Sequence, residues 1–256
     1  MNLKNVEDFY PLSPMQQGML FHSLAAPNSG VYFEQFSCTL KGELSLTAFN
    51  YAWQQVIDRH PILRTGFVWE GLKEPVQIVH RQVKISCTTK DWRHLSVKQQ
   101  TKEIEAFLER DCLHDFELTR PPLMRLTLIQ LADNIYHFTW SHHHLLLDGW
   151  SVPLIFQEVF AYYQQFGRGD FLWEGRKPCA PTKTPRPYRD YIVWLQQQNI
   201  SEAETFWRQT LKGFTTPTQL GINYTKSPSN IKLSQTDAET RRHGDTEIDR
   251  DYTKKK

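Results

Sequence analysis

Residues 140–151, Trp140-Ser141-His142-His143-His144-Leu145-Leu146-Leu147-Asp148-Gly149-Trp150-Ser151, carry a strand-like run into three consecutive histidines and out through an Asp-Gly pair. Just upstream, Met124, Leu126 and Leu128 alternate with Arg125 and Thr127, and Asp133-Asn134 supplies a turn into Ile135 to Trp140. That pattern predicts an antiparallel hairpin. Downstream, Val152, Ile155, Phe156, Val159, Phe160 and Tyr163 repeat at helical spacing, so an amphipathic helix follows, with Ser151 as a candidate cap. The centre of the chain is therefore strand, histidine loop, helix.

The same alternation extends in both directions. Leu12-Ser13-Pro14-Met15-Gln16 reads as a helix start, with Ser13 as N-cap, Pro14 at the first helical position and Gln16 closing a capping box; the helix is expected to end near Asn28-Ser29-Gly30. Val31 to Leu40 reads as a strand. Ser45 caps a helix carrying Leu46, Phe49, Trp53, Val56 and Ile57 on one face, which Pro61 ends. Ile62 to Trp69, Val76 to Val79 and Val83 to Cys87 read as strands, and Ser96 to Cys112 as a third helix. Four prolines and three glycines between Gly167 and Pro187 mark a linker. Tyr188 to Lys212 is helical again, restarting at Ile200-Ser201-Glu202. The fold class is α/β, a mixed β-sheet flanked by helices.

Composition narrows the function. The 256 residues are 39% hydrophobic and 23% charged with a net charge of +2, which suits a globular protein and not one held to nucleic acid by phosphate contacts. Cys38, Cys87, Cys112 and Cys179 are scattered without zinc-site spacing, consistent with a reduced cytoplasmic protein. No stretch is long and apolar enough for a signal peptide or membrane span. The lysines ending the chain, Lys254 to Lys256, read as part of a solvated charged tail.

The histidine segment carries the chemistry. A histidine titrating near neutrality can take a proton from an attacking amine or hydroxyl, or orient that group as neutral imidazole. Asp148 need not touch a histidine; in a tight loop it could pair with an arginine from another strand and hold the loop. Other readings stand beside this one: histidines serving as hydrogen-bonded core groups, a metal site of His142, His144 and Asp148, or a Ser151 nucleophile, which lacks a Gly-x-Ser-x-Gly context.

His143-His144-Leu145-Leu146-Leu147-Asp148-Gly149 resembles the HHxxxDG signature of condensation domains of nonribosomal peptide synthetases. Leu12 to His22 resembles that family's first motif, Arg59-His60-Pro61-Ile62-Leu63-Arg64-Thr65-Gly66-Phe67 its second, and Tyr188 to Leu195 its fourth, in the family's order. The resemblance covers about residues 7–225. It implies a chloramphenicol-acetyltransferase-like lobe and amide formation between aminoacyl or peptidyl thioesters on the 4'-phosphopantetheine arms of donor and acceptor carrier proteins, with no cofactor or metal of its own. By the same resemblance His144, with His143 beside it, is catalytic, either as general base or by positioning the amine. Asp148 is structural and paired with an arginine of the second motif, Arg64 in preference to Arg59. Gly149 keeps the substrate channel open and offers a backbone N–H to the oxyanion. The wording of the first and third motifs resembles the subtype that takes a D-configured donor.

The family's later motifs are missing from the sequence. The expected organisation is an N-terminal lobe over residues 1–168, a linker over 169–187, the helical start of the second lobe over 188–226, and a disordered charged tail over 227–256. Such a chain is expected to act only with a separate C-terminal lobe. Two further functions fit the same residues: a non-catalytic remnant or carrier-docking module, and a stand-alone acyltransferase using CoA thioesters.

Overall fold

A computed structural model describes residues 3–27, 29–166 and 185–216, so most of the linker expected over 169–187, the end of the second-lobe segment expected over 188–226 and the tail expected over 227–256 lie outside the described residues. Two compact units divide at residues 198 and 199. The first contains a three-stranded sheet, β1 (Val6–Pro11), β4 (Val76–His80) and β3 (Thr65–Val68) in that order, and a four-stranded sheet, β2 (Phe33–Lys41), β7 (Ile135–His143), β6 (Met124–Ala132) and β5 (Cys87–Asp91). All strand pairs are antiparallel except β5 with β6, so the larger sheet is mixed, as the sequence predicts.

Helix α1 (Pro14–Ala25) begins with the predicted capping box: the Gln16 amide donates to Ser13 Oγ at 3.1 Å and the Ser13 amide to Gln16 Oε1 at 3.0 Å. It ends at Ala25, earlier than expected, because Ala26 precedes Pro27 and the proline ring pushes it out of the helical region. Helix α2 (Leu46–Arg59) buries Phe49, Ala52, Trp53, Val56 and Ile57 against the larger sheet. Helix α4 (Ser151–Phe166) adds Ile155, Phe156 and Val159 to the same layer. Trp53, Phe138, Trp140 and Phe156 meet edge to face or tilted at 5.0–6.3 Å, a geometry that aromatic quadrupoles favour. Glu158 ties α4 to the end of α2 through His60 at 2.7 Å and Arg59 at 3.2 Å. Helix α3 (Val97–Cys112) connects the parallel pair β5 and β6.

Two expected strands are shorter or displaced. Pro61 to Arg64 forms a 3-10 turn, a shape that proline at its start favours, and β3 begins only at Thr65. Val83 to Ile85 pairs with no strand among the described residues, and side chains of α2 take up some of its backbone groups. Val83 O accepts from Gln54 Nε2 at 2.9 Å, the Ile85 amide donates to Gln54 Oε1 at 3.2 Å, and the Cys87 amide donates to Asn50 Oδ1 at 2.9 Å.

Helix α5 (Tyr188–Gln196) packs on β1. Ile192 joins Tyr10 and Val79, and Arg189 pairs with Asp8 at 3.0 Å. In the second unit α6 (Ile200–Thr210) restarts where the sequence predicts, with Asn199 capping the Glu202 amide at 3.2 Å.

Two glycines test the packing. A Cβ on Gly66 would sit 2.8 Å from Thr119 O and 3.1 Å from Pro121 Cδ, because the 117–121 segment docks on β3 through the Phe67 amide and Leu118 O at 2.8 Å. A Cβ on Gly149 would meet nothing within 4 Å. Gly66→Ala is therefore expected to lower unfolding stability by about 1–3 kcal/mol, and Gly149→Ala to leave it within about 0.5 kcal/mol of wild type. Urea midpoints of the two variants compared with wild type check both.

Candidate functional site

Strand β7 extends three residues beyond Trp140 and delivers the histidines in alternation. Phe138, Trp140 and His142 project to the face covered by α2 and α4, while Thr139, Ser141 and His143 project to the other face, as a period of two requires. The His142 ring stacks on Trp140 with centroids 4.6 Å apart, and its buried Nδ1 has no hydrogen-bond partner among the described residues. Burial, and then the neighbouring histidines, push its pKa down to about 4.

His143 is fully engaged. The Leu145 amide donates to its Nδ1 at 3.1 Å, so the proton of the neutral ring sits on Nε2, which lies 3.2 Å from Ser23 Oγ; that hydroxyl in turn donates to Met19 O at 2.9 Å. Burial is the main cause that lowers the His143 pKa to about 4, opposed by the negative charge of Asp115. Its ring also borders a cleft of about 320 Å³ with Ser23, Trp69, Asp115 and Phe116 on the walls.

His144 is the first residue past the paired strand. It is half-buried, its amide donates to Tyr32 O at 2.8 Å, and its ring lies against Tyr32 with centroids 6.3 Å apart and planes 14° apart. Among the described residues His144 Nδ1 is buried without a hydrogen-bond partner, so another molecule could engage the ring only through Nε2. The loop beyond is seated by buried Gln16, whose Nε2 donates to Leu145 O at 3.1 Å. Gln16 is held in turn by Gln77, whose Nε2 lies 3.0 Å from Gln16 Oε1 and 3.0 Å from Pro11 O. The first motif and the histidine loop are thus joined by an amide pair.

Asp148 and Arg64 do not meet. Asp148 is exposed and accepts from the Ser151 amide at 2.9 Å and the Ser151 hydroxyl at 2.6 Å, bonds that hold its carboxyl below the usual range. Asp148, and not Ser151, therefore caps the start of α4. Arg64 is buried and engaged elsewhere: its guanidinium donates to Ile57 O at 3.1 Å, Glu7 Oε2 at 2.6 Å and His80 O. The expected pairing fails because Arg64 lies in the 3-10 turn, where it ties α2 to β1 and β4. Arg59 is no substitute, since it pairs with Glu158. Gly149 is exposed and has no left-handed backbone, so the turn into α4 does not itself demand glycine. Among the described residues no group of three His, Cys, Asp or Glu side chains is placed to hold a metal ion, and no helix is long and apolar enough to cross a membrane.

The sequence model of the family described as "Condensation domain" matches residues 6–249, further than the four motifs alone carry the resemblance. The chain belongs to the condensation-domain family. It is 44% identical over 225 residues to one of the proteins that make up linear gramicidin synthase of Brevibacillus parabrevis, covering 88% of this chain and 3% of that protein. Bacitracin synthase 1 of Bacillus licheniformis is 38% identical over 215 residues, 84% of this chain and 4% of that protein. Surfactin synthase subunit 3 of Bacillus subtilis (strain 168) is 33% identical over 243 residues, 92% of this chain and 18% of that protein. Among solved structures, the starter condensation domain of rhizomide synthetase is 21% identical with a TM-score of 0.68, covering 82% of this chain and 50% of that one, which shows the shared fold. The condensation-domain chain thus spans a small fraction of these synthases and half of the solved starter domain.

Several residues that build the site are silent in the sequence. Gln16 reads as a capping residue within the first motif, with nothing to signal its bond to the loop, and Ser23 and Tyr32 have no motif context. Gln77 had one signal, a lone amide inside the apolar run Val76 to Val79.

The folded pKa values of His142 and His143 lie below the ordinary histidine value near 6.5. The unfolded chain therefore binds more protons between about pH 6.5 and pH 4, so stability is level above that window and falls as pH drops through it. A urea midpoint that stays constant from pH 7.5 to 4.5 would contradict the burial of these rings.

Proposed function

We propose that this chain forms amide bonds between thioesters carried on the phosphopantetheine arms of donor and acceptor carrier proteins. The observation that carries the reading is the division of labour among the histidines: His142 and His143 are neutral and committed to the fold, whereas His144 keeps Nε2 for a substrate. In the reaction the acceptor's amine nitrogen attacks the donor's thioester carbonyl carbon, with His144 orienting the amine or taking its proton. The tetrahedral intermediate collapses with loss of the thiolate, and the proton passes to the sulfur. One C–S bond is exchanged for one C–N bond, and the donor carrier arm is left as a free thiol.

Asp148 contributes at one remove, by capping α4 and so fixing the end of the histidine loop. Arg64 supports the lobe and not the loop directly. Gly149 leaves open space where a side chain would stand; in this reading that space belongs to the substrate channel. Because the chain spans half of the solved starter domain, the proposal includes a second lobe, supplied by further sequence, against which His144 works. A D-configured donor and a cytoplasmic setting complete it.

The test uses donor and acceptor aminoacyl carrier thioesters, with D and L donors, incubated with the full chain alone and with a separately expressed C-terminal lobe. Dipeptidyl thioester is expected, with a loss of about 100-fold or more in His144→Ala and a comparable loss in Gly149→Ala without loss of stability. Absence of product in both mixtures overturns the proposal in favour of a docking module. Acyl transfer from CoA thioesters would instead favour a stand-alone acyltransferase.

A further inference from the structure

Tyr32 stands opposite His144, one residue beyond the last pair of the β2–β7 ladder, Phe33 with His143. Its backbone is left-handed, with φ at +65°, the only non-glycine residue so placed among the described residues. A bulky aromatic side chain is poorly suited to that region, and the cost is borne only where the surroundings hold the residue there. Two contacts gather at this position. Tyr32 O accepts from the His144 amide at 2.8 Å, and the Tyr32 ring lies nearly parallel to the His144 imidazole. The ring is held from behind, where its hydroxyl lies 3.0 Å from His22 Nδ1 near the end of α1 and the His22 ring stacks on it at 6.1 Å with planes 14° apart.

We propose that Tyr32 is a positioning residue for His144: its carbonyl fixes the histidine backbone and its ring fixes the plane of the imidazole. The inference rests on the reading of His144 as the reacting histidine. The bond from the His144 amide to the Tyr32 carbonyl continues the β2–β7 hydrogen-bonding pattern by one pair, a position at which opposed residues lie side by side. The imidazole itself has no hydrogen bond at Nδ1 to set its rotation. Stacking against Tyr32 supplies that restraint, and His22 keeps the tyrosine ring from swinging away.

The test compares Tyr32→Gly, Tyr32→Phe and Tyr32→Leu in the full chain. Glycine removes both the ring and the backbone strain, phenylalanine keeps the stack without the hydroxyl, and leucine keeps the backbone demand without an aromatic face. Proton NMR of the His144 ring is expected to show a ring-current shift in wild type and Tyr32→Phe that is lost in Tyr32→Gly and Tyr32→Leu. Tyr32→Gly is expected to unfold at no lower urea concentration than wild type. In the condensation assay it should lose about 10- to 100-fold in kcat with KM within about twofold, the signature of a misplaced reacting group. A His144 shift unchanged in both ring-deleted variants, or a wild-type kcat in Tyr32→Gly, would overturn the proposal. A wild-type chain that makes no product counts against the condensation reading alone, and the NMR comparison then still decides the clamp.

Discussion

The two-residue period of β7 is the constraint from which the site follows. A strand cannot send neighbouring side chains to the same face, so three consecutive histidines must divide. His142 goes to the aromatic layer with Phe138 and Trp140, and His143 to the opposite face with Thr139 and Ser141. Pairing ends at His143, and only there is a histidine released from the ladder. The neutrality of the first two rings and the partial exposure of the third are consequences of strand geometry, set before any local hydrogen bond is considered.

Much of the scaffold was legible because its signals are local. The capping box of α1, the one-faced apolar spacing of α2 and α4, and the Asp133-Asn134 turn each act over a few residues, and the folded chain keeps all of them. What failed was what depends on distant partners. Val83 to Ile85 has the composition of a strand, yet its hydrogen bonds are taken by Gln54, an amide on the exposed-looking side of a helix. Ile62 and Leu63 carry strand-like side chains, but Pro61 in front of them starts a turn.

Which residues the histidine loop gathers was legible in the sequence more than how they connect. His143, His144, Asp148 and Gly149 do share one loop region, and the first motif does pack against it. The partner assigned to Asp148 was wrong for a reason that no pattern of residues discloses: the Arg64 guanidinium is drawn to Ile57, Glu7 and His80 through Nε and Nη1, and Asp148 to Ser151. Tyr32 was invisible for a similar reason, since a left-handed backbone at tyrosine is imposed by its neighbours and has no preference of its own to betray it.

The Gln16–Gln77 amide pair has a consequence for the conditions under which the loop keeps its place. Helix α2 is fastened to α4 by Arg59, His60 and Glu158, a tie whose strength varies with protonation and dissolved ions. The amide seat of the histidine loop, made by Gln16, Gln77 and the Leu145 carbonyl, is neutral at every physiological pH, whereas His143 and Asp148, which hold the same loop at the Leu145 and Ser151 amides, are ionisable. Protonation of His143 or Asp148 would thus weaken the loop at Leu145 and at Ser151 while the amide seat stayed in place.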